Sequence, residues 1–304
     1  MESNRVLKTE DLRKLQLVET GILKAFDSIC SKYNIQYFIC YGTAIGAIRH
    51  RGFIPWDDDI DVGMLRSEYE KLKKVPKSEW GGYCISLVDP ADECDAHLWT
   101  YPRLYKNGTI FESGNHYYEI SKRRSDTSDL RVWLDIFLYD RFDDVQSIEK
   151  MSKRIFLLKK LYYYSVSNRV IRKEDPLKRK LVEVIELVAH FLLRLLPNPK
   201  KVIWNRIQSL LTYSSGELVT TFDTPYKATS IVCCYADMFP TERVVFEGIE
   251  VCIQKNYDSV LRSIYGDYMQ LPPEEKRTTH VPVILDLGDG RGNVVCSENT
   301  GGVI

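Results

Sequence analysis

Near the start of the chain, apolar residues recur three or four positions apart. From Leu12 to Tyr33 they form one continuous stripe, which predicts an amphipathic helix over residues 9–33. Residues 35–41 are aromatic and β-branched, as is typical of a buried strand. Gly42 and Thr43 then interrupt the pattern before a short helix at 44–50.

Farther along, the pattern alternates between strand-like and helix-like segments. Residues 59–64 and 131–140 read as strands, and residues 257–265 as a helix. The segment 147–215 is helical and basic, with breaks at three prolines: Pro176, Pro197 and Pro199. From Gly288 onward the chain is glycine-rich, and we assign it no element.

This order predicts a mixed α/β (α+β) fold with a small sheet and added helices. We expect residues 1–146 to form the core of the fold and residues 147–215 to form a helical insertion or subdomain. Residues 216–304 should complete the domain that contains this core and end in a flexible tail from about residue 288.

Composition narrows the range of functions. The 304 residues include 44% hydrophobic residues, enough for a sizeable core, and 42 basic residues balance 42 acidic ones. A net charge of zero removes the global basic field of a non-specific nucleic-acid binder, so we expect no nucleic-acid partner. None of the eight cysteines falls in a C-x-x-C spacing, which argues against a zinc ribbon.

The sequence shows neither a signal peptide nor an apolar run of the ~20 residues that span a bilayer. We therefore expect a cytoplasmic protein, with the inner face of a membrane as an alternative location. The most apolar stretch, residues 181–196, contains charged residues and a single apolar stripe. Packing as a core helix is the favoured interpretation, ahead of peripheral contact with a membrane surface.

Four carboxylates lie within five positions, at Asp57, Asp58, Asp59 and Asp61. A solvated acidic loop is the ordinary interpretation of such a run. Here, however, Asp59 and Asp61 alternate with apolar residues, so in a strand both side chains would point the same way. Like charges at that separation call for a cation, and Mg²⁺ or Mn²⁺ with oxygen ligands suits them.

A second feature lies upstream, where a predicted strand runs through Gly42 and Thr43 into a helix. The backbone N–H groups at such a helix N-terminus bind phosphate. With the acidic residues at the same sheet edge, the pattern predicts phosphoryl transfer, in which positioning and charge neutralisation do most of the work.

The segment GTAIGAIRHRGFIPWDDDID, residues 42–61, resembles the signature of the LicD phosphotransferase family. WLDIF at 133–137 and YGDYMQLPP at 265–273 are similar to later family elements, so the resemblance spans residues 10–282. The resemblance implies a polymerase-β-type nucleotidyltransferase core. It also implies transfer of a phospho-alcohol, most typically phosphocholine, from a CDP-linked donor to a hydroxyl of a cell-surface glycan or its lipid-linked precursor, releasing CMP. CDP-glycerol and CDP-ribitol remain alternative donors.

The same resemblance suggests roles for individual residues. Asp135 lies in an apolar strand, where it would pair with an arginine, or complete the metal site with Asp59 and Asp61, or accept the hydroxyl proton. For Arg49 the alternatives are a local salt bridge and a contact with a donor phosphate. Of the basic residues Arg103 and Lys106, three positions apart, at most one should reach the site, and we favour Lys106. His280 matches a family histidine that would contact substrate.

Two other functions stay open on the sequence alone. Metal-dependent glycosyltransferases also use an Asp-x-Asp element, but they transfer a sugar and release a nucleoside diphosphate. A non-catalytic module that holds a divalent ion is the second alternative. The Gly42–Thr43 turn favours phosphoryl transfer over the glycosyltransferase alternative.

Overall fold

The computed structural model describes residues 7–87, 101–113, 131–166, 176–211, 215–224, 226–277, 279, 281–290 and 294–295. The helices are α1 (Thr9–Lys32), α2 (Tyr41–His50), α3 (Arg66–Leu72), α4 (Val145–Val166), α5 (Pro176–Leu193), α6 (Pro199–Leu210), α7 (Tyr235–Met238) and α8 (Tyr257–Tyr265). The strands are β1 (Phe38–Ile39), β2 (Asp61–Leu65), β3 (Tyr83–Ser86), β4 (Arg103–Lys106), β5 (Ile110–Ser113), β6 (Trp133–Phe142), β7 (Leu218–Thr221), β8 (Cys233–Cys234), β9 (Glu242–Phe246), β10 (Ile249–Ile253), β11 (Pro282–Asp286) and β12 (Val294–Val295).

Within the described residues, the main sheet has seven strands and is mixed, in agreement with the predicted α/β class. Its path runs β1-β2-β6-β4-β3, with β7 paired to β6 and β8 paired to β7. Strands β2 and β6 are parallel, and the other pairs in this sheet are antiparallel. The long strand β6 therefore joins elements from both ends of the chain.

Helix α1 forms where the apolar stripe predicted it and packs against the sheet. Leu15, Ile22 and Phe26 are fully buried in the same core as Ile60 and Leu134. Burial of each such side chain contributes about 1.5–3 kcal/mol, so this stripe fixes the helix on the sheet.

The first strand is shorter than predicted, because the chain turns into helix earlier. Only Phe38–Ile39 pairs as a strand, and α2 already begins at Tyr41. Tyr41 has a φ of +49°, which reverses the chain direction directly after the strand. Gly42 and Thr43 thus lie in the first turn of α2 rather than before it.

The end of α2 packs tightly against the turn that follows it. The N–H of Gly52 donates to the carbonyl oxygen of Gly46, and a Cβ on Gly46 would lie 2.4 Å from the Gly52 oxygen. Real Cβ atoms do not approach a backbone oxygen so closely. Glycine at position 46 is therefore required by this contact.

Gly46→Ala should lower the free energy of unfolding by about 1–3 kcal/mol, because either the helix or the turn must move. Urea denaturation measures the change. Gly82→Ala is the matched control, since nothing lies within 4 Å of the added Cβ there. Equal stabilities for the two variants would contradict the packing described for α2.

The segment after β6 is helical, as predicted. Pro176 and Pro199 occupy the first positions of α5 and α6, where proline is well tolerated. The side chain of Asn198 accepts a hydrogen bond from the Lys201 N–H and caps α6. These helices share a small core of their own that includes Tyr162.

Residues from the C-terminal part contribute β7 and β8 to the main sheet, while β11 pairs with β5. The three-part division of the chain stays a prediction. The tail past Gly288 is not without structure, because β12 at Val294–Val295 pairs with β11. The expectation of no element there was wrong, since cross-strand pairing depends on a distant partner.

The preference for a core position of the stripe at 181–196 was also wrong for its described residues. Ile185, Val188, Leu192 and Leu195 are exposed, while Glu186 is buried. Among the helices described, none has the length and apolarity needed to span a bilayer.

Candidate active site

Two acidic residues lie side by side on the parallel strands at the centre of the sheet. Asp61 begins β2 and is aligned with Asp135 on β6. The N–H of Asp135 donates to the carbonyl oxygen of Ile60 over 3.0 Å, which fixes the register at this point. Aligned residues of neighbouring parallel strands point to the same face, so the two carboxylates face one region.

The other carboxylates of the acidic run converge on Asp61. Burial and the charges of Asp59, Asp135 and Asp57, in that order, raise the pKa of Asp61 well above its usual range. Asp59 itself precedes β2 rather than sharing the strand. Among the neighbouring charges, that of Asp59 raises the pKa of Asp61 the most, so the two acids lie close together. The argument that they share one strand was wrong, because β2 begins only at Asp61.

Asp135 is bound by an arginine from the neighbouring strand β4. Arg103 Nε donates to Asp135 Oδ1 over 2.5 Å and Nη2 donates to Oδ2 over 3.3 Å, with both side chains buried. Its guanidinium lies over the Trp133 ring at 4.6 Å. The sequence left open whether Asp135 pairs with an arginine, and the structure contains this pair.

Lys106 lies elsewhere. Its ammonium group is 5.2 Å from the centre of the Tyr83 ring. A spacing of three places Arg103 and Lys106 on opposite faces of β4, as the sequence predicted, but the residue that reaches the carboxylates is Arg103 and not the favoured Lys106.

The N-terminus of α2 meets the carboxylates at the start of β2. The hydroxyl of Thr43 accepts a hydrogen bond from the Asp61 N–H over 2.9 Å. A Cβ on Gly42 would lie 2.7 Å from Asp57 Oδ2, so the acidic run passes directly over this helix end. An anion that approaches this N-terminus therefore also meets carboxylates, and a cation between them is required to relieve the repulsion.

Arg49 is not brought to this point. It lies six residues after Thr43, about 9 Å along the helix axis at 1.5 Å per residue. Its Nη1 donates to the carbonyl oxygens of Tyr268 and Gln270, over 2.6 and 3.2 Å. This placement argues against the predicted contact between Arg49 and a donor phosphate.

His280 lies outside the described residues. Its neighbour Thr279 donates a hydrogen bond to the carbonyl oxygen of Trp56 over 2.6 Å. The C-terminal segment thus contacts the loop that carries the acidic run, and substrate contact by His280 stays a prediction.

The sequence analysis missed Glu19, which α1 directs toward the acidic run. Glu19 is 3% exposed, and its Oε2 has no hydrogen-bond partner among the described residues. Burial and the charges of the nearby aspartates raise its pKa well above the usual range; those aspartates are Asp58, Asp59, Asp57 and Asp61. A signal was present in the sequence, because Glu19 interrupts the apolar stripe between Leu15 and Ile22.

In metal-free protein, Glu19→Gln should be more stable than wild type at pH values above the unfolded pKa of glutamate, about 4.3. A carboxyl with a raised pKa binds a proton more tightly in the folded state. Wild-type stability should therefore fall as pH rises, by up to about 1.4 kcal/mol per pH unit for this group. Glutamine does not ionise, so the variant escapes that loss.

Urea denaturation in EDTA, at about pH 5 and about pH 8, measures the difference. The gap between variant and wild type should widen toward the higher pH. Glu10→Gln, an exposed change on the same helix, is the control and should show no such widening. A constant gap for Glu19→Gln would show that the pKa of Glu19 is not raised in the folded protein.

The donor set suits a hard divalent cation. Asp59 and Asp61 would supply carboxylate oxygens, and burial together with the neighbouring acidic charges raises the pKa of Asp61. Within the described part of the chain, however, no three Asp, Glu, His or Cys side chains are arranged to hold a metal together. Both oxygens of Asp135 are engaged by Arg103. Two carboxylates fit Mg²⁺, which fills its other positions with water and phosphate.

The sequence of this chain is similar to those of known proteins. Residues 34–156, which contain both Asp61 and Asp135, match the family model described as LicD/FKTN/FKRP, nucleotidyltransferase domain. The chain is 30% identical over 284 residues to the lipopolysaccharide cholinephosphotransferase LicD of Haemophilus influenzae, covering 90% of this chain and 97% of that protein.

A shorter match joins the chain to an uncharacterized protein of Rickettsia prowazekii, with 39% identity over 74 residues, or 24% of this chain and 28% of that protein. An uncharacterized protein of Rickettsia typhi is 37% identical over 65 residues, 21% of each chain. The match to the Haemophilus protein extends over nearly the whole length of both chains. The chain therefore belongs to the LicD family of phosphotransferases.

Proposed function

We propose that this enzyme transfers phosphocholine from CDP-choline to a hydroxyl of lipopolysaccharide or its lipid-linked precursor. The observation that carries the proposal is the alignment of Asp61 with Asp135 beside the N-terminus of α2. The near full-length similarity to a protein named for cholinephosphate transfer to lipopolysaccharide supports the choice of donor group and acceptor.

We also infer a nucleotidyltransferase core of the polymerase-β type. Helix α2 follows β1 and precedes β2, so that its N-terminus lies at the edge of the sheet where β2 begins. The parallel pair β2 and β6 presents acidic residues at that same edge. Both features suit a site that binds a nucleotide diphosphate.

In this proposal Asp59 and Asp61 hold Mg²⁺ or Mn²⁺, which supplies charge neutralisation for the diphosphate when bound. The N–H groups in the first turn of α2, at Gly42 and Thr43, donate to phosphate oxygens. The hydroxyl of Thr43 also holds Asp61 in place by accepting a hydrogen bond from the Asp61 N–H. In this proposal the chain binds and orients the donor diphosphate through the cation and these N–H groups.

We propose a positioning role for Asp135. Because both of its oxygens accept hydrogen bonds from Arg103, it holds that guanidinium beside Asp61. Arg103 then helps to neutralise charge that develops on the transferred phosphate. The roles of Asp135 as third metal ligand or as base stay predictions, because each of its oxygens keeps a lone pair beside the hydrogen bond from Arg103.

The reaction balances without a further reactant. The acceptor oxygen forms a bond to the phosphorus that carries choline, and the bond from that phosphorus to the bridging oxygen breaks. CMP leaves with the electron pair, and the hydroxyl proton is released. Because phosphoryl transfer requires little covalent chemistry from the protein, positioning and electrostatics account for most of the catalysis.

Product analysis tests the proposal. Purified protein with Mg²⁺, CDP-choline and lipopolysaccharide should yield CMP and acceptor that carries phosphocholine, and EDTA should stop both. Release of UDP or GDP from nucleotide sugars, without CMP from CDP-choline, would instead support a glycosyltransferase. Metal binding in calorimetry without any binding of CDP-alcohols would support a non-catalytic module.

A further inference from the structure

Helix α5 and the residues after it expose apolar side chains to solvent, while the acidic residue Glu186 of the same helix is buried. Ile185, Val188, Leu192 and Leu195 are 55, 51, 60 and 80% exposed, whereas Glu186 is 1% exposed. We call the exposed side, which also includes Phe191 and Leu196, the apolar face.

The orientation of α5 is fixed from its inner side. The ring Nδ1 of His190 lies 2.6 Å from the carbonyl oxygen of Tyr164 on α4. Helix α4 adds to the exposed apolar area, since Phe156 and Leu157 are 62 and 58% exposed. So many exposed large apolar side chains on neighbouring helices are costly in water and are typical of an interaction site.

Charge is strongly segregated onto the same helices. Residues 145–211 contain fifteen of the 42 Lys and Arg residues but only five of the 42 Asp and Glu residues. The helical region therefore has an excess of ten positive charges, and the rest of the chain has an equal negative excess. The neutral total conceals this division.

The charges next to the apolar face have the same sign. Between residues 184 and 211, Arg194, Lys201 and Arg206 are exposed, and Glu186, the one acidic residue of this stretch, is buried. The ammonium group of Lys160 lies 4.6 Å from the centre of the exposed Phe156 ring. Exposed apolar side chains are thus bordered by cations.

We propose that the apolar face docks on an anionic membrane surface. Apolar side chains on one side of a helix enter the boundary between headgroups and acyl chains, and neighbouring Lys and Arg side chains attract anionic lipids. A second copy of this chain is a poorer occupant, because it would bring two surfaces of equal positive excess together. The inference rests on α4, α5 and α6 and does not depend on the proposed reaction.

Vesicle flotation tests the proposal with the full-length chain. Vesicles of phosphatidylglycerol and phosphatidylethanolamine should carry the protein upward, whereas vesicles of phosphatidylcholine should not. Phe191→Ser with Leu192→Ser should weaken partitioning by at least about tenfold, because two apolar side chains are lost from the contact. Higher NaCl should also weaken it.

The matched control is Leu17→Ser with Leu271→Ser. Both are apolar residues of similar exposure, 53 and 54%, and both lie outside residues 145–211. This control should float as wild type does. A charge reversal, Arg194→Glu with Lys201→Glu, gives a second variant and should likewise reduce flotation. Circular dichroism establishes that each variant is folded.

Absence of binding to the anionic vesicles, or equal binding by the Phe191 and Leu192 variant, would overturn the proposal. Equal binding to phosphatidylcholine would overturn its electrostatic part. Light scattering tests the alternative that a second copy of the chain covers the apolar face. If the wild type is a dimer, the Phe191 and Leu192 variant is a monomer and neither binds vesicles, the apolar face is an interface between copies and the membrane proposal is overturned. None of these measurements requires turnover of CDP-choline.

Discussion

Asp61→Asn should reduce transfer of phosphocholine by about a thousandfold, because it removes one of the two carboxylates proposed to hold the cation that neutralises the diphosphate. The substitution keeps the size of the side chain and removes its charge at the centre of the acidic run. Initial rates of CMP release from CDP-choline measure the effect. The hydrogen bond from the Asp61 N–H to the Thr43 hydroxyl is unaffected, because Asp61 contributes only its backbone to it.

Asp61→Asn should lower turnover without lowering the stability of the fold. Burial and neighbouring acids penalise the charge of Asp61, so the variant should be at least as stable as wild type in EDTA. Asp143→Asn, an exposed change just after β6, is the control and should turn over normally. Turnover by Asp61→Asn close to the wild-type rate would refute the assignment of the site.

Arg103→Met should destabilise the protein by about 3–5 kcal/mol, because it leaves Asp135 buried without a compensating charge. Methionine approximates the length of the apolar stem, so the loss comes mainly from the ion pair. Turnover should fall as well, since Arg103 stands beside the acidic run. Urea denaturation and CMP release are measured on the same preparation, with rates expressed per folded molecule.

Arg66→Met is the matched control. Arg66 and Asp140 form a second buried bidentate pair, over 2.6 and 2.9 Å, between α3 and β6. We expect a similar loss of stability but normal turnover of the folded fraction. Equal activities for the two variants would show that Arg103 acts only on stability.

The elements that rest on strong local periodicity were predictable. Helix α1 and helix α8 occupy the predicted positions, and α8 has the predicted bounds of Tyr257–Tyr265. An amphipathic stripe predicts a helix well because the apolar residues that give the helical spacing are the same residues that the fold buries in its core. The sequence also singled out the acidic run and Asp135, because charged residues next to apolar strand positions are costly to bury, and the structure aligns Asp61 with Asp135.

Contacts between distant segments were not predictable to the same degree. The choice between Arg103 and Lys106 depends on the register of β4 against β6, 32 positions apart at the Arg103–Asp135 pair. Glu19 lies near the acidic run because of how α1 packs on the sheet. Periodicity predicts that α5 has an apolar side, but it does not state whether that side faces protein or solvent.

The central claim is that Asp59 and Asp61 together hold a divalent cation that receives the donor diphosphate. Electron paramagnetic resonance with Mn²⁺ tests this directly, because free and bound ions give different signals. We predict stoichiometric binding that weakens toward low pH, as Asp61 takes up a proton, and that is lost in Asp59→Asn with Asp61→Asn. Mn²⁺ binding by that double variant as tight as in wild type would contradict the account.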